Sequence, residues 1–184
     1  MVRKRRALRS DARRNREHVL DVARRAFETE GLGVPIDEIA RRAGLGIGTL
    51  YRHFPTKQHL VAAIVDDRMH RLADEAVALA GERDPGKAFF TFLDRLAAEL
   101  ARKRDLGEAI TSIDMRALTE TARARLKDGM ARLLRRAQAA RTIRADVRID
   151  DVIALVAATL PTVDRPQRAT TRMLAIVCDG LRAT

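Results

Sequence analysis

The side chains with the clearest potential for chemistry lie close together between residues 46 and 57. Four of them can donate hydrogen bonds: Thr49, Tyr51, Arg52 and His53. Hydroxyl and imidazole groups can donate to phosphate oxygens, and a guanidinium group can also reach the edge of a base. Gly46 and Gly48 come directly before these residues and add almost no side-chain bulk, so the backbone can approach a ligand closely. These residue types suit contacts with a nucleic acid.

The sequence contains little evidence for a metal site or a catalytic site. No two of the four histidines stand four residues apart, and His59 and His70 would lie about 16 Å apart along a helix, too far for one metal ion. Cys178 is the only cysteine, so the chain can form neither an intrachain disulfide nor a cysteine-based metal site. No arrangement of Ser, His and Asp typical of a catalytic triad stands out, and neither does a pair of carboxylates. The sequence therefore predicts no catalytic residue, no metal and no cofactor.

Two short helices joined by a tight turn are predicted to position the donors. The apolar residues expected to face inward are Ile39, Ala43, Leu50 and Phe54. Gly44 lies between the helices, where a left-handed residue lets the chain turn sharply. The second helix is expected from about residue 46 to 53, with Ile47 on its outward side. This pattern is the sequence form of a helix-turn-helix, whose second helix enters the major groove of DNA.

The start of the first short helix is marked by a proline and two acids. Pro35 fits the first helical position, because its missing N–H would have no partner there. Asp37 and Glu38 fall in the first turn, where the helix dipole favours negative charge.

Residues 48–57 read Gly-Thr-Leu-Tyr-Arg-His-Phe-Pro-Thr-Lys, after Asp-Glu-Ile-Ala at 37–40 and Ala-Gly-Leu at 43–45. These segments resemble the DNA-binding domain of the TetR family of bacterial transcriptional regulators over about residues 11–65. Where the family often has a Thr pair, this chain has Val34 and Pro35. Resemblance and outward position together give the expected DNA contacts: Gly46, Ile47, Gly48, Thr49, Tyr51, Arg52, His53 and Lys57. The segments 141–147 and 179–182 are similar to an actinobacterial-type subgroup.

Charge is concentrated beside the predicted helix-turn-helix. The 184-residue chain has a net charge of +11, and residues 1–60 hold 14 Lys and Arg against 7 Asp and Glu, a net of +7. Such an excess indicates a polyanionic partner, either nucleic acid or an anionic membrane. No apolar run approaches 18 residues and no signal-peptide core follows Met1, so a cytoplasmic protein without a membrane segment is expected.

Residues 1–10 are predicted to be a basic, disordered arm, because they lack apolar periodicity. Arg5 and Arg6 belong to this arm. It is either a solvated tail or a DNA-tracking arm of the kind that homeodomains use; its place beside a helix-turn-helix favours the arm.

The remaining sequence predicts an all-α fold of about nine helices. Residues 11–56 form the helix-turn-helix head, and a long fourth helix, expected from about residue 57 to 80, joins it to a helical body within residues 57–184. Apolar side chains at helical spacing dominate the body, and no convincing period-2 strand pattern occurs.

Two functional surfaces are expected in the body, each with a plain alternative. A pocket for a small effector is predicted between the helices, although Phe and Met at helical spacing are also ordinary core residues. Its candidate lining residues are Phe89, Phe92, Leu96, Met115, Met130 and Leu133. The last two helices are predicted to form a dimer surface, as the resemblance implies, or else to complete the core of the monomer. The dimer candidates are Val152, Leu155, Val156, Thr171, Leu174, Val177 and Cys178.

These features predict a homodimeric transcriptional regulator, a repressor that a small effector releases from a pseudo-palindromic operator in double-stranded DNA. The alternative is a non-catalytic basic helical protein that binds anionic surfaces, either a membrane or nucleic acid without sequence preference. The effector, the operator and the regulated genes cannot be identified from the sequence.

Overall fold

The structure is a computed structural model that describes residues 2–101, 117–159 and 167–183. This part of the chain is all-helical, which confirms the predicted fold class. Its eight helices are α1 Val2–Glu30, α2 Ile36–Arg42, α3 Ile47–His53, α4 Lys57–Leu79, α5 Pro85–Ala101, α6 Glu120–Ala139, α7 Ile149–Ala158 and α8 Gln167–Leu181. Extended pairing in the described residues is limited to one antiparallel bridge between Ile143 and Arg182. A short helix predicted near residues 106–113 lies outside the described residues.

The first helix corrects the prediction for the N-terminus. Residues 2–10, expected to be a disordered arm, are the first turns of α1. Residues 2–30 contain neither glycine nor proline, and Arg, Lys, Leu and Ala are among the best helix formers, so the helix can extend without apolar periodicity. It ends at Gly31, whose φ of +77° is the left-handed conformation that glycine adopts without strain.

The chain forms two compact units. The first contains residues 1–65 together with 105–119. Its core joins one face of α1 to the helix-turn-helix and to the first turns of α4, and includes Val19, Phe27, Ile39, Leu50, Phe54 and Leu60. Full burial of one such side chain contributes about 1.5–3 kcal/mol, which short helices such as α2 and α3 need in order to form.

The first unit extends nine residues beyond the predicted boundary at Thr56. Leu60, Val61 and Ile64 of α4 are buried in its core, which explains the extension. The Thr56 hydroxyl accepts a 3.3 Å hydrogen bond from the backbone N–H of His59 and so caps the N-terminus of α4. The helix then continues without a break into residues of the second unit.

The second unit contains residues 66–104 and 120–184. Helix α5 contacts α6 and α8, and α7 contacts both α6 and α8. Phenylalanine, leucine and valine side chains from these helices form one apolar core. Arg68 is buried on α4 and forms an ion pair with Glu99 of α5. Within the described ranges, no helix has the length and apolar content needed to cross a membrane.

Candidate nucleic-acid interface

The turn between α2 and α3 has the predicted geometry. Gly44 has a φ of +64°, and the backbone N–H of Leu45 donates a 3.0 Å hydrogen bond to the carbonyl oxygen of Ala40. Gly46 is the N-cap of α3 and has an extended backbone. The four predicted inward residues, Ile39, Ala43, Leu50 and Phe54, are all buried. These positions confirm the arrangement read from the apolar pattern.

The start of α2 differs by one residue from the prediction. Pro35 is the N-cap rather than the first helical residue, and no side chain caps the helix there. The chain therefore lacks the side-chain cap that a threonine would provide. Asp37 and Glu38 do occupy the first turn, where their negative charges interact favourably with the helix dipole.

One side of α3 is exposed while Leu50 anchors the opposite side. Ile47 is 50% exposed and Tyr51 is 40% exposed, and Gly48 and Arg52 are exposed beside them. We call these four residues the α3 face. Residues one turn apart share a side of a helix, so Ile47 pairs with Tyr51 and Gly48 with Arg52. The α3 face is therefore a short, continuous surface of one apolar side chain, one open backbone position, one phenol and one guanidinium group.

Arg52 is held against its own helix. Its Nε donates a 3.1 Å hydrogen bond to the carbonyl oxygen of Gly48. A side chain on an α-helix leans towards the N-terminus, which brings the guanidinium group of Arg52 to the carbonyl oxygen one turn earlier. The terminal nitrogens are not used in this bond and can form a planar fork to a base or phosphate.

Tyr51 connects the two helices of the motif. Its hydroxyl donates a 3.1 Å hydrogen bond to Oδ1 of Asp37 on α2. The pKa of Tyr51 is raised by partial desolvation, which has the largest effect, and by this hydrogen bond to a carboxylate. The phenol therefore remains a hydrogen-bond donor at neutral pH. Tyr51 was predictable at the DNA surface, but its pairing with Asp37 was not, because the two residues are 14 positions apart.

The remaining predicted contacts differ in exposure. His53 is exposed at the end of α3, whereas Thr49 and Lys57 are half-buried. The ammonium group of Lys57 lies 5.6 Å from the centre of the Phe27 ring, and burial lowers the pKa of Lys57. Arg5 and Arg6 belong to α1, and the positions of their side chains are outside the described part of the structure.

Ion pairs brace α2 against the end of α1. Glu38 accepts hydrogen bonds from Arg41 at 2.6 and 2.7 Å and from Arg42 Nε at 2.7 Å. Arg42 also pairs with Glu30 of α1. Hydrogen bonds from Arg41 and Arg42 lower the pKa of Glu38 to about 2. The pairs of Glu38 with Arg41 and Arg42 could be predicted from their spacings of three and four residues within α2. The pair of Arg42 with Glu30 could not be predicted from the sequence.

The predicted effector residues lie in the core of the second unit. Phe89, Phe92, Leu96, Met130 and Leu133 are all buried in the same apolar cluster. Met115 lies outside the described residues. Phe90 lines a surface groove of about 380 Å³ with Asp84, Lys87 and Thr91. The guanidinium group of Arg182 lies 4.4 Å from the centre of the Phe90 ring.

The predicted dimer residues separate into buried and exposed sets. Val152, Val156, Leu174 and Cys178 are buried within the chain's own core, and Val177 is half-buried. Leu155 is 42% exposed. The side chain of Thr171 is not among those described. Ile153 and Ile176, which were not among the predicted dimer residues, are exposed on α7 and α8.

The short helix pair, its left-handed turn and the exposed α3 face define a helix-turn-helix regulator that binds DNA. Residues 19–64 match the family model described as "Bacterial regulatory proteins, tetR family", and residues 84–183 match "Transcriptional regulator SbtR-like, C-terminal domain". The chain belongs to the TetR family of bacterial transcriptional regulators, which confirms the resemblance. Members of this family are DNA-binding regulators without enzymatic activity, so the predicted non-enzymatic function is also confirmed.

The similarity to solved structures of the family covers almost the whole chain. A TetR regulator from Mycobacterium vanbaalenii is 42% identical, with 96% of this chain and 99% of that chain covered and a TM-score of 0.75. A TetR regulator from Streptomyces coelicolor is 32% identical, with coverages of 92% and 99% and a TM-score of 0.69. Among curated proteins, an HTH-type transcriptional regulator of Staphylococcus aureus is 37% identical over 59 residues. That match spans 32% of each chain.

Proposed function

We propose that the protein is a homodimeric repressor that binds a pseudo-palindromic operator through the α3 face and is released by a small effector. The observation that supports this most strongly is the α3 face itself, with Arg52 oriented along the helix by Gly48. It lies in the more basic part of the chain, where residues 1–60 have a net charge of +7. Phosphate attraction supplies affinity, and the exposed side chains of α3 supply sequence preference.

Exposed apolar side chains on the last two helices support the homodimer. Leu155 on α7 and Ile176 on α8 are 42% and 62% exposed. A symmetric dimer would cover such side chains with the same surface of a second copy. Two copies are needed because a pseudo-palindromic operator presents two half-sites, about 34 Å apart or a multiple of it, on one side of the duplex.

The second unit supports the effector proposal through its composition. Ligand pockets in helical proteins form between helices whose facing side chains are apolar, and Phe89, Phe92 and Met130 occupy such positions. Helix α4 runs unbroken from Lys57, beside the helix-turn-helix, to Leu79. An effector that binds better to a state with displaced α4 would shift the population away from the DNA-binding state. A preference of 1–3 kcal/mol would lower DNA affinity by about 5–150-fold.

Selection of bound fragments from random duplex DNA by the full-length protein tests the proposal. The expected result is one enriched sequence arranged as an inverted repeat, with half-site centres separated by about 10 base pairs or a multiple. Enrichment of a single half-site would contradict the homodimer. Failure to enrich any sequence would contradict operator binding. Because the proposed partner is bacterial DNA, we also propose that the protein acts in the cytoplasm.

A further inference from the structure

Exposed apolar surface in the first unit is concentrated on α3. Across residues 14–65, whose side chains the structure describes, the large apolar side chains exposed by more than about a third are Ile47, at 50%, and Tyr51, at 40%. The other large apolar side chains of these residues are buried or packed partly against the core. Ile47 and Tyr51 are four residues apart and therefore neighbours on the α3 face.

Ile47 can recognise only an apolar partner, because its side chain has no hydrogen-bonding atom. In the major groove of DNA, the apolar group on the base edges is the C5-methyl of thymine. We propose that Ile47 determines operator specificity by packing against a thymine methyl group in each half-site. This inference rests on the proposed function, because it requires α3 to lie in the major groove of a specific operator.

The surroundings of Ile47 suit this role. Ile47 is the first residue of α3 and lies between Gly46 and Gly48, so neither adjacent residue has a side chain that would hold it away from the bases. A β-branched side chain has few rotamers and loses little freedom on contact. The neighbouring phenol of Tyr51 is held in place by its hydrogen bond to Asp37, with 3.1 Å between the hydroxyl oxygen and Oδ1. Ile47 is thus a stiff apolar contact on a surface whose other side chains are polar.

Charge complementarity identifies DNA rather than a protein as the partner of this apolar patch. Arg52 flanks it on the same face, and in the part of the chain that the structure describes its guanidinium bonds to a carbonyl oxygen and not to a carboxylate. Arg41 on α2 is highly exposed too, but its guanidinium group is paired with Glu38. An apolar contact beside the Arg52 cation fits a thymine methyl group beside a phosphate.

Deoxyuridine provides a direct test, because it lacks only the C5-methyl group of thymine and keeps its hydrogen-bonding atoms. The probe is the duplex enriched by the full-length protein from random DNA, with each thymine replaced in turn by deoxyuridine. At one position in each half-site, the replacement should raise the Kd about three- to fivefold, the effect of losing one buried methyl-sized group. The variant Ile47→Ala should bind the thymine and deoxyuridine duplexes equally well.

The matched control is Val77→Ala, which shortens an equally exposed apolar side chain on α4. It should keep the full preference for thymine over deoxyuridine. The proposal is overturned if no single replacement changes the Kd, or if Ile47→Ala keeps the preference of the wild type. If no duplex is enriched in the first place, the proposed function fails, and that outcome is distinguishable from a specific duplex that ignores the methyl group.

Discussion

The Nε atom of Arg52 lies 3.1 Å from the carbonyl oxygen of Gly48, one turn earlier in α3, and donates a hydrogen bond to it. This bond orients the guanidinium group along the exposed side of the helix and removes part of its rotational freedom before DNA is bound. A donor that is already oriented loses less entropy on binding, so Arg52 is the strongest candidate for direct contact with a base.

Replacing Arg52 with Ala should relax base preference at one base pair in each half-site by about 1–3 kcal/mol, the usual contribution of a bidentate contact. The measurement is the Kd for a panel of duplexes with single base-pair changes. Arg83→Ala, in the exposed segment between α4 and α5, is the control and should leave the panel unchanged. Equal losses on specific and scrambled duplexes would show that Arg52 binds phosphate instead.

Gly48→Ala should change protein stability and DNA affinity in opposite directions. No atom lies within 4 Å of the position that a Cβ at Gly48 would take, so the fold accommodates the methyl group and gains up to about 1 kcal/mol of helix propensity. The same methyl group would stand between the backbone of α3 and DNA and weaken operator binding. Urea denaturation and a binding titration measure the two effects.

The control for this substitution is Gly33→Ala, at an exposed position of the same unit with equally open surroundings. It should leave operator affinity unchanged. If Gly48→Ala bound the operator as tightly as the wild type, the backbone at position 48 would not approach the bases.

Lys57 is expected to hold the DNA backbone without reading its sequence. Lys57→Ala should weaken binding to all duplexes by a similar factor and lower the salt slope by about one unit. The ammonium group, which lies 5.6 Å from the centre of the Phe27 ring, is a single point charge that can neutralise one phosphate without contacting a base edge. Lys127→Ala, which breaks an exposed pair with Asp150 on the second unit, is the control. A changed base preference with an unaltered slope would contradict this role.

The network around Glu38 should make the first unit sensitive to acid. The pKa of Glu38 is about 2 in the folded protein, below its ordinary value of 4.5. The carboxylate therefore stabilises the fold above about pH 4.5, and this contribution disappears as the pH falls towards 2. Glu38→Gln should flatten the dependence of the urea midpoint on pH across this range.

Glu82→Gln, at an exposed position between α4 and α5, provides the comparison for the acid experiment. Its pH profile should follow that of the wild type. If the Glu38→Gln profile were also parallel to that of the wild type from pH 4.5 to 2, the ion pairs with Arg41 and Arg42 would not contribute to stability.

The dimer proposal is tested by placing a charge on an exposed apolar residue. Ile176→Glu should give a folded monomer with weak operator binding, because burying an unpaired carboxylate in an apolar interface is costly. Sedimentation and circular dichroism measure the two properties. Leu174→Glu, on the buried side of the same helix, should instead unfold the second unit. An intact Ile176→Glu dimer would mean that the interface lies elsewhere.

The sequence was sufficient to locate the helix-turn-helix because its signals are local. Apolar spacing fixes which side of α2 and α3 faces the core, and Gly44 marks the turn. The pairs Tyr51 with Asp37 and Arg42 with Glu30 were not predictable, since they depend on how the helices pack against one another. The helical start of α1 was missed because apolar periodicity reports burial, whereas a helix of Arg, Lys and Ala can form without it.

Apolar periodicity also could not separate core from surface in the last two helices. Val152 and Leu155 are both apolar and three residues apart, yet the first is fully buried and the second is exposed. A wide apolar stripe marks the buried side of a helix but does not show where the chain's own core ends. For the same reason, Phe89 and Phe92 could be predicted to be buried, but not whether they face a cavity.

The central claim is that the α3 face gives this protein its DNA sequence preference. The most direct test is the ratio of the Kd values for the enriched duplex and a scrambled duplex of the same composition, measured at one ionic strength. We expect the wild type to prefer the enriched duplex by about a thousandfold or more, and the double variant Ile47→Ala with Arg52→Ala to lose most of that preference while still binding both duplexes weakly. A wild-type ratio near one, or a double variant with an unchanged ratio, would contradict the claim.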